Sequence, residues 1–250
     1  MKDQLTQQVD AFMRDGFYVI KGALNQDHVR RLIDAVVEIS EDVQTREISD
    51  IIDKHEIFHP LLVHSPVFEL IQALMGPKVQ MESVNATRVK PGKGMPVGWH
   101  IDSHPYPDPL PPLWYFPISV NCAYYLDKIT PDKGPLVVVP GTHLSRKNPP
   151  NGVDNLPGQV DVMAEAGDAV LFHGALWHAA KPNVHPTDER RALYFNYIQS
   201  FCKQRAGNFI GERSNQLRES GPFYKQQLLG KFDGWHEIPR DAEVKPQGAR

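Results

Sequence analysis

The sequence predicts a mainly β fold: an antiparallel sandwich or barrel with helical decoration on its N-terminal side. Three observations lead there. From Lys78 onward the chain breaks into short apolar runs, "VQMESVNATRV", "ISVNCAYYL", "PLVVVP", "DAVLF" and "RALYFNYI", separated by Gly, Pro and Asp clusters. The first third instead places its apolar residues at helical spacing. A chain of 250 residues with 41% hydrophobic content can bury a sizeable core within one all-β unit.

Taken in order, Leu5, Val9, Phe12 and Met13 form a helical stripe that stops at Gly16, and "FYVI" then reads as a short strand. Asn25 is the expected N-cap of a helix through "QDHVRRLIDAVVEISEDV". Ser65 is the expected cap of the next helix, "PVFELIQALMG", with Pro66 at its first position and Gly76 as its stop. The β runs follow, and "SRKNPPNGVDNLPG" between them, residues 145–158, is a loop. From about Asp233 the tail reads as irregular and solvated. There is no internal repeat. The expected organisation is one domain over 1–250, with a helical part at 1–77, a β core at 78–200 and an extension at 201–250.

A net charge of −3 and a pI near 6.4 give no electrostatic case for nucleic acid or an anionic membrane. The polar N-terminus lacks the apolar core of a signal peptide, and no run of about 18 apolar residues occurs, so the expectation is a cytoplasmic protein. Cys122 and Cys202 are too few for a disulfide framework or a cysteine-based zinc site.

The chemistry concentrates in "GWHIDSHPYPD". Side chains two apart on an extended strand share a face, so His100 and Asp102 project together. One imidazole and one carboxylate are two-thirds of the facial triad that holds iron(II) and leaves the opposite face open. The missing imidazole must come from another strand. "GDAVLFHGALWHAAKPN" offers both His173 and His178, and Arg190 follows at the head of "RRALYFNYI". A guanidinium beside such a site suits the far carboxylate of a dicarboxylate co-substrate, because its planar fork binds carboxylate through two donors. HxD alone arises by chance in many proteins. The ordered set HxD, "GPLVVVPGTH", "GDxxxFHxxxxH" and "RRAL" is far more specific.

That set resembles the phytanoyl-CoA dioxygenase family of iron(II) and 2-oxoglutarate oxygenases, over about Gly16 to Ser200 and most densely from Lys90 to Tyr197. "RVKPGKGMPVGWHID" matches the family's Lys-Pro strand end leading into HxD, and "DKGPLVVVPGTH" matches its acidic turn and Pro-Gly-Ser/Thr-His segment. The resemblance implies a double-stranded β-helix, a jelly-roll-like cupin core with N-terminal helices. It implies His178 over His173 as the distal metal ligand, and Arg190 over Arg191 as the co-substrate arginine. It further implies Fe(II), 2-oxoglutarate and O2, and oxidation of a C–H bond in a small organic molecule with release of succinate and carbon dioxide. Two positions depart from the family. Ala180 stands where many relatives have Ser, and Ala123 where many have Trp, and Asn121 is expected to supply the missing polar contact to the co-substrate.

The remaining polar residues have quieter readings. His143 is a turn residue capping backbone groups, Asp168 shapes the Gly-Asp turn, and Cys122 is a small core residue. Arg88 and Lys90 are strand-end charges that can meet an anionic ligand. The stretch 103–117, rich in proline and aromatics, reads as an ordered lid in which His104, Tyr106, Trp114 and Tyr115 line the pocket, with 40–60 as its other wall. Two alternatives stand beside the oxygenase: a cupin-like metalloenzyme without 2-oxoglutarate, which Arg190 argues against, and a non-catalytic jelly-roll binding module.

Overall fold

The computed structural model describes residues 2–40, 47–92, 96–102, 116–145, 147–205, 207–232, 236–239 and 242. Helix α1, Lys2–Asp15, ends at Gly16 (φ +83°) and passes into strand β1, Phe17–Ile20. A side chain at Gly16 would come within 2.5 Å of the His143 imidazole, so this turn needs glycine for both its dihedral and its space. Helix α2, Gln26–Glu38, is capped as expected, the Asn25 side chain accepting from the His28 amide at 2.8 Å. It stops earlier than its periodicity suggests. The Ser40 hydroxyl turns back onto the carbonyl of Val36, and this local bond competes with continuation of the helix.

From Glu47 the expected pocket wall folds as strand β2, Glu47–Ser49, helix α3, Ile51–Lys54, and a 3₁₀ stretch, Glu56–Val63. Ile51, Ile52, Phe58, Leu61 and Leu62 are fully buried there, so much of this segment is core. Helix α4, Val67–Met75, closes at Gly76 (φ +80°). Its start corrects the sequence reading: Pro66 occupies the N-cap position, and the Ser65 hydroxyl donates to the Glu69 carboxylate and accepts from no helix amide among the described residues.

The β elements are β3 (Val79–Val89), β4 (Val97–His100), β5 (Ser119–Tyr125), β6 (Leu136–Val138), β7 (Val160–Val162), β8 (Ala169–His173), β9 (His178–Ala180) and β10 (Arg190–Gln199). They form a six-stranded sheet ordered β1-β8-β5-β10-β3-β2 and a four-stranded sheet ordered β4-β9-β6-β7. Every pairing is antiparallel. The two sheets face each other in the jelly-roll manner of a double-stranded β-helix.

Two apolar clusters result. The helices cover the outer face of the larger sheet with Phe12, Leu32, Phe68, Leu193, Phe195 and Tyr197. Between the sheets a smaller cluster gathers Ala123, Tyr125, Leu136, Val138, Val170 and Phe172.

Helices α5, Glu212–Ser220, and α6, Phe223–Leu228, were not singled out in the sequence. Helix α5 buries only Ser214, and Asp53 holds it: the carboxylate accepts from the amides of Gly211 (3.0 Å) and Ser214 (2.8 Å) and from the Ser214 hydroxyl (2.6 Å). Among the described residues no single helix is long and apolar enough to cross a membrane.

Candidate metal centre

Strands β4 and β9 pair so that His100 lies opposite His178, with ring centroids 4.1 Å apart. Each ring is fixed the same way: Nδ1 bonds a backbone carbonyl two residues earlier, Gly98 for His100 and Leu176 for His178, both at 2.8 Å. A proton on Nδ1 leaves each Nε2 as a lone-pair donor. Just beyond β4, Ile101 turns into the core and the Asp102 amide donates to the Gly174 carbonyl at 2.9 Å. The Asp102 carboxylate thereby faces both rings, with Oδ1 at 3.4 Å from His100 Nε2 and Oδ2 at 3.3 Å from His178 Nε2. One ligand atom from each of the three residues lies within 4.8 Å of the other two, close enough for all three to share a metal ion.

Burial alone would raise the Asp102 carboxyl, but the charge of His178 and hydrogen bonds from both imidazoles outweigh it and hold Asp102 well below the ordinary carboxylate range. His100 shows the reciprocal effect, burial lowering it and Asp102 raising it further. With ring protons displaced from Nε2 by an ion, two imidazoles and one ionised carboxylate make a donor set that suits a hard-to-borderline divalent cation.

Asn121, on β5 and 2% exposed, donates its amide to Asp102 Oδ2 at 2.5 Å. The expectation gave this side chain to the co-substrate; the bond shown here is from its amide to the Asp102 carboxylate. His173 projects elsewhere. It packs 5.1 Å from the His143 ring, its Nδ1 accepts from the Ala175 amide, and burial lowers it to about 3, so it stays neutral and away from Asp102.

The two arginines heading β10 part in the same way. Arg191 grips Asp127 through Nε (2.9 Å) and Nη2 (2.7 Å). Arg190 is 5% exposed and lines the cavity of about 280 Å³ that also contains His100, Asp102 and His178. Its Nη1 donates to the Gly134 carbonyl, and its buried Nε has no partner among the described residues. Gly134 has φ +66°, and a side chain there would come within 2.7 Å of Arg190 Nη1, so glycine makes the room in which the guanidinium lies.

Sequence reading missed Thr87, Tyr194 and Asn196, which line the same cavity. Their signal was present: they fall at period two from Arg190 along β10, and at period two along β3, where Ser83, Asn85 and Thr87 alternate with apolar Val84 and Ala86. The Thr87 hydroxyl is buried with no hydrogen-bond partner among the described residues.

Other expectations resolve plainly. Arg88 pairs with Glu189 at 3.0 Å and Lys90 is exposed, neither lining the cavity. Asp168 ties the turn before β8, accepting from Glu165 and Gly22 amides and pairing with Lys21 at 2.7 Å. His143 bonds the Met13 carbonyl at 3.0 Å, and Cys122 is buried. The lid residues His104, Tyr106, Trp114 and Tyr115 lie outside the described residues, as do 41–46 of the second wall.

Residues 12–192 match the family model described as phytanoyl-CoA dioxygenase. The chain belongs to the phytanoyl-CoA dioxygenase family. Within the family's range, a protein named dioxygenase af480 from Aspergillus fumigatus is 28% identical over 179 residues, covering 70% of this chain and 55% of that protein. An ectoine dioxygenase from Sphingopyxis alaskensis is 28% identical, covering 78% of this chain and 76% of its own length. The chain thus spans about half the length of the Aspergillus relative and 41% of two mycobacterial proteins that match it at 34% identity. Among solved structures, the 2-oxoglutarate-dependent epimerase SnoN of nogalamycin biosynthesis superposes with a TM-score of 0.68 at 19% identity, covering 83% of this chain and 86% of that one. HygX of Streptomyces hygroscopicus, solved with nickel, 2-oxoglutarate and hygromycin B, gives 0.66 at 18% identity, covering 79% and 88%. These likenesses establish the fold of the family's jelly-roll core.

Proposed function

We propose that this chain is an Fe(II)- and 2-oxoglutarate-dependent oxygenase that uses O2 to oxidise a C–H bond of a small organic molecule. One observation carries the reading: two imidazoles with carbonyl-locked Nδ1 atoms and one ionised carboxylate converge in a cavity that also holds a buried arginine with an unpartnered donor. His100, Asp102 and His178 would hold the metal. Together, bound iron(II) and 2-oxoglutarate supply oxygen activation coupled to decarboxylation, which yields succinate and carbon dioxide and oxidises the substrate.

The chain's own contribution is position and exclusion of water. Asn121 keeps Asp102 turned toward the two rings, and the Gly98 and Leu176 carbonyls favour the Nδ1-protonated tautomer, which presents each Nε2 to a metal. Arg190 would take the far carboxylate of 2-oxoglutarate through the donors that Gly134 leaves over. Thr87 supplies the hydroxyl that Ala180 lacks, since its buried oxygen lines the same cavity and has no partner among the described residues. The unpartnered guanidinium nitrogen favours this reading over a cupin-like enzyme that dispenses with a dicarboxylate, because a buried donor without an acceptor is costly unless a ligand meets it. SnoN and HygX are solved with nogalamycin RO and hygromycin B respectively, and these set a precedent for a small-molecule substrate. Two free cysteines fit a reducing, cytoplasmic setting.

The test is a pair of variants. Arg190→Ala should raise the 2-oxoglutarate concentration needed for half-maximal succinate release by one or more orders of magnitude, since truncating one partner of a buried charged pair costs about 2–5 kcal/mol. Arg191→Ala should leave that requirement near wild type. Equal dependence in both variants and the wild type would defeat the co-substrate assignment.

A further inference from the structure

Both candidate metal histidines are preceded by tryptophan, Trp99 before His100 and Trp177 before His178. Adjacent residues on an extended segment point to opposite faces, so with the imidazoles directed into the barrel the indoles lie on its outside. There they meet one and the same segment. Trp99 Nε1 donates to the Asp154 carbonyl at 3.3 Å, and Trp177 Nε1 donates to the Lys147 carbonyl at 2.7 Å. The loop 147–159, which contributes no residue to the inner cavity, is thus bonded across β4 and β9 at two points.

What lies beneath the loop gives these bonds their weight. A cavity of about 240 Å³ separates it from the strands, with Val97, Ala179 and Ala180 on the strand side and Val153, Asn155 and Gln159 on the loop side. The back of these strands is therefore not closely packed against the loop where the cavity lies, and the contacts at its edges carry the attachment. The pairing of β4 with β9 is also irregular between Val97 and His100, so the ladder alone is a weak clamp. Just before β9 the Trp177 backbone is seated already, its amide donating to Thr142 Oγ1 at 3.0 Å and its carbonyl accepting from the Val139 amide at 3.1 Å.

We propose that Trp99 and Trp177 are positioning residues: by bonding loop 147–159 across the outside of β4 and β9, they hold the two strands in the register that brings the Nε2 atoms of His100 and His178 to the same side of Asp102. The inference rests on the reading of this triad as a metal site. Both indoles act through backbone and loop.

The test uses iron(II) alone, titrated anaerobically into the full chain by calorimetry. Trp99→Phe combined with Trp177→Phe keeps aromatic bulk and removes both donors. The double variant should bind iron(II) roughly tenfold more weakly, in the range seen when groups supporting metal ligands are altered. Its metal-free melting temperature should stay within about 2 °C of wild type, because two exposed hydrogen bonds contribute little to the fold. Unchanged affinity would overturn the proposal, and so would a loss of affinity matched by an equal loss of metal-free stability, which is the mark of a merely structural role. Should the double variant fail to fold, amide exchange in the wild type decides: iron(II) should slow exchange in 147–159, and no change there would overturn the proposal. A wild-type protein that binds no iron(II) would instead defeat the reading of the triad itself.

Discussion

The two faces of the six-stranded sheet are built from the same strands to opposite ends. Along β10, Leu193, Phe195 and Tyr197 point outward beneath the helices and are fully buried, while Arg190, Tyr194 and Asn196 point inward and line the cavity. On β3 the outward Met81, Val84 and Ala86 alternate with inward Asn85 and Thr87, and on β5 outward Cys122 and Tyr124 alternate with inward Asn121 and Ala123. The covered face is apolar and closely packed. The inner face keeps charged and amide groups, and there Arg190 Nε and the Thr87 hydroxyl are buried with no partner among the described residues. The covered face supplies the stability that lets the inner face retain polar groups whose burial would otherwise oppose folding.

This contrast can be broken most forcefully from the covered side. Phe195→Ala should destabilise the protein by about 3–5 kcal/mol, as lost burial plus a cavity, measured by urea unfolding. The molecules that remain folded should bind iron(II) as the wild type does. A collapse of metal affinity without loss of stability would mean that the two faces are not separable.

From the inner side the expected pattern is reversed. Asn121→Ala removes the amide that bonds Asp102 Oδ2, and should weaken iron(II) binding about 10–100-fold while moving the metal-free melting temperature little. Metal affinity equal to wild type would show that Asp102 is held by its backbone alone.

The smallest effect lies at the margin of the covered face, where Asp50 bonds the Phe209 amide at 2.9 Å. Burial, with the neighbouring Asp53 charge acting in the same direction, raises its carboxyl to about 6 even though the Phe209 amide favours the ionised form. A raised pKa in the folded state means that folding holds this proton more tightly. Stability from this group is therefore greatest below the unfolded value near 4 and falls as pH rises to about 6. Asp50→Asn should raise the melting temperature at pH 7.5, by a few degrees at most, and make little difference at pH 4. Equal shifts at both values would remove the pH-linked explanation.

Much of this was legible in the linear chain, because the signals concerned are local. Short apolar runs bounded by Gly, Pro and Asp marked β3, β5, β8 and β10, the helical stripe ending at Gly16 marked α1, and Asn25 announced the start of α2, since each depends on dihedrals and contacts within a few residues. HxD placed His100 and Asp102 together for the same reason. Tertiary structure decided the rest. His173 and His178 sit five positions apart with similar credentials, and only the pairing of β9 against β4 sets one ring opposite His100 and sends the other toward His143. Arg190 and Arg191 are neighbours, separated by strand alternation and by Asp127, 64 residues away from Arg191, which occupies one of them. Asn121 finds Asp102 19 residues earlier, and Asp53 anchors a helix about 160 residues downstream of it. A side chain's partner in a β fold is fixed by cross-strand register and by which face is covered, and both belong to the assembled sheets, not to any short stretch of sequence.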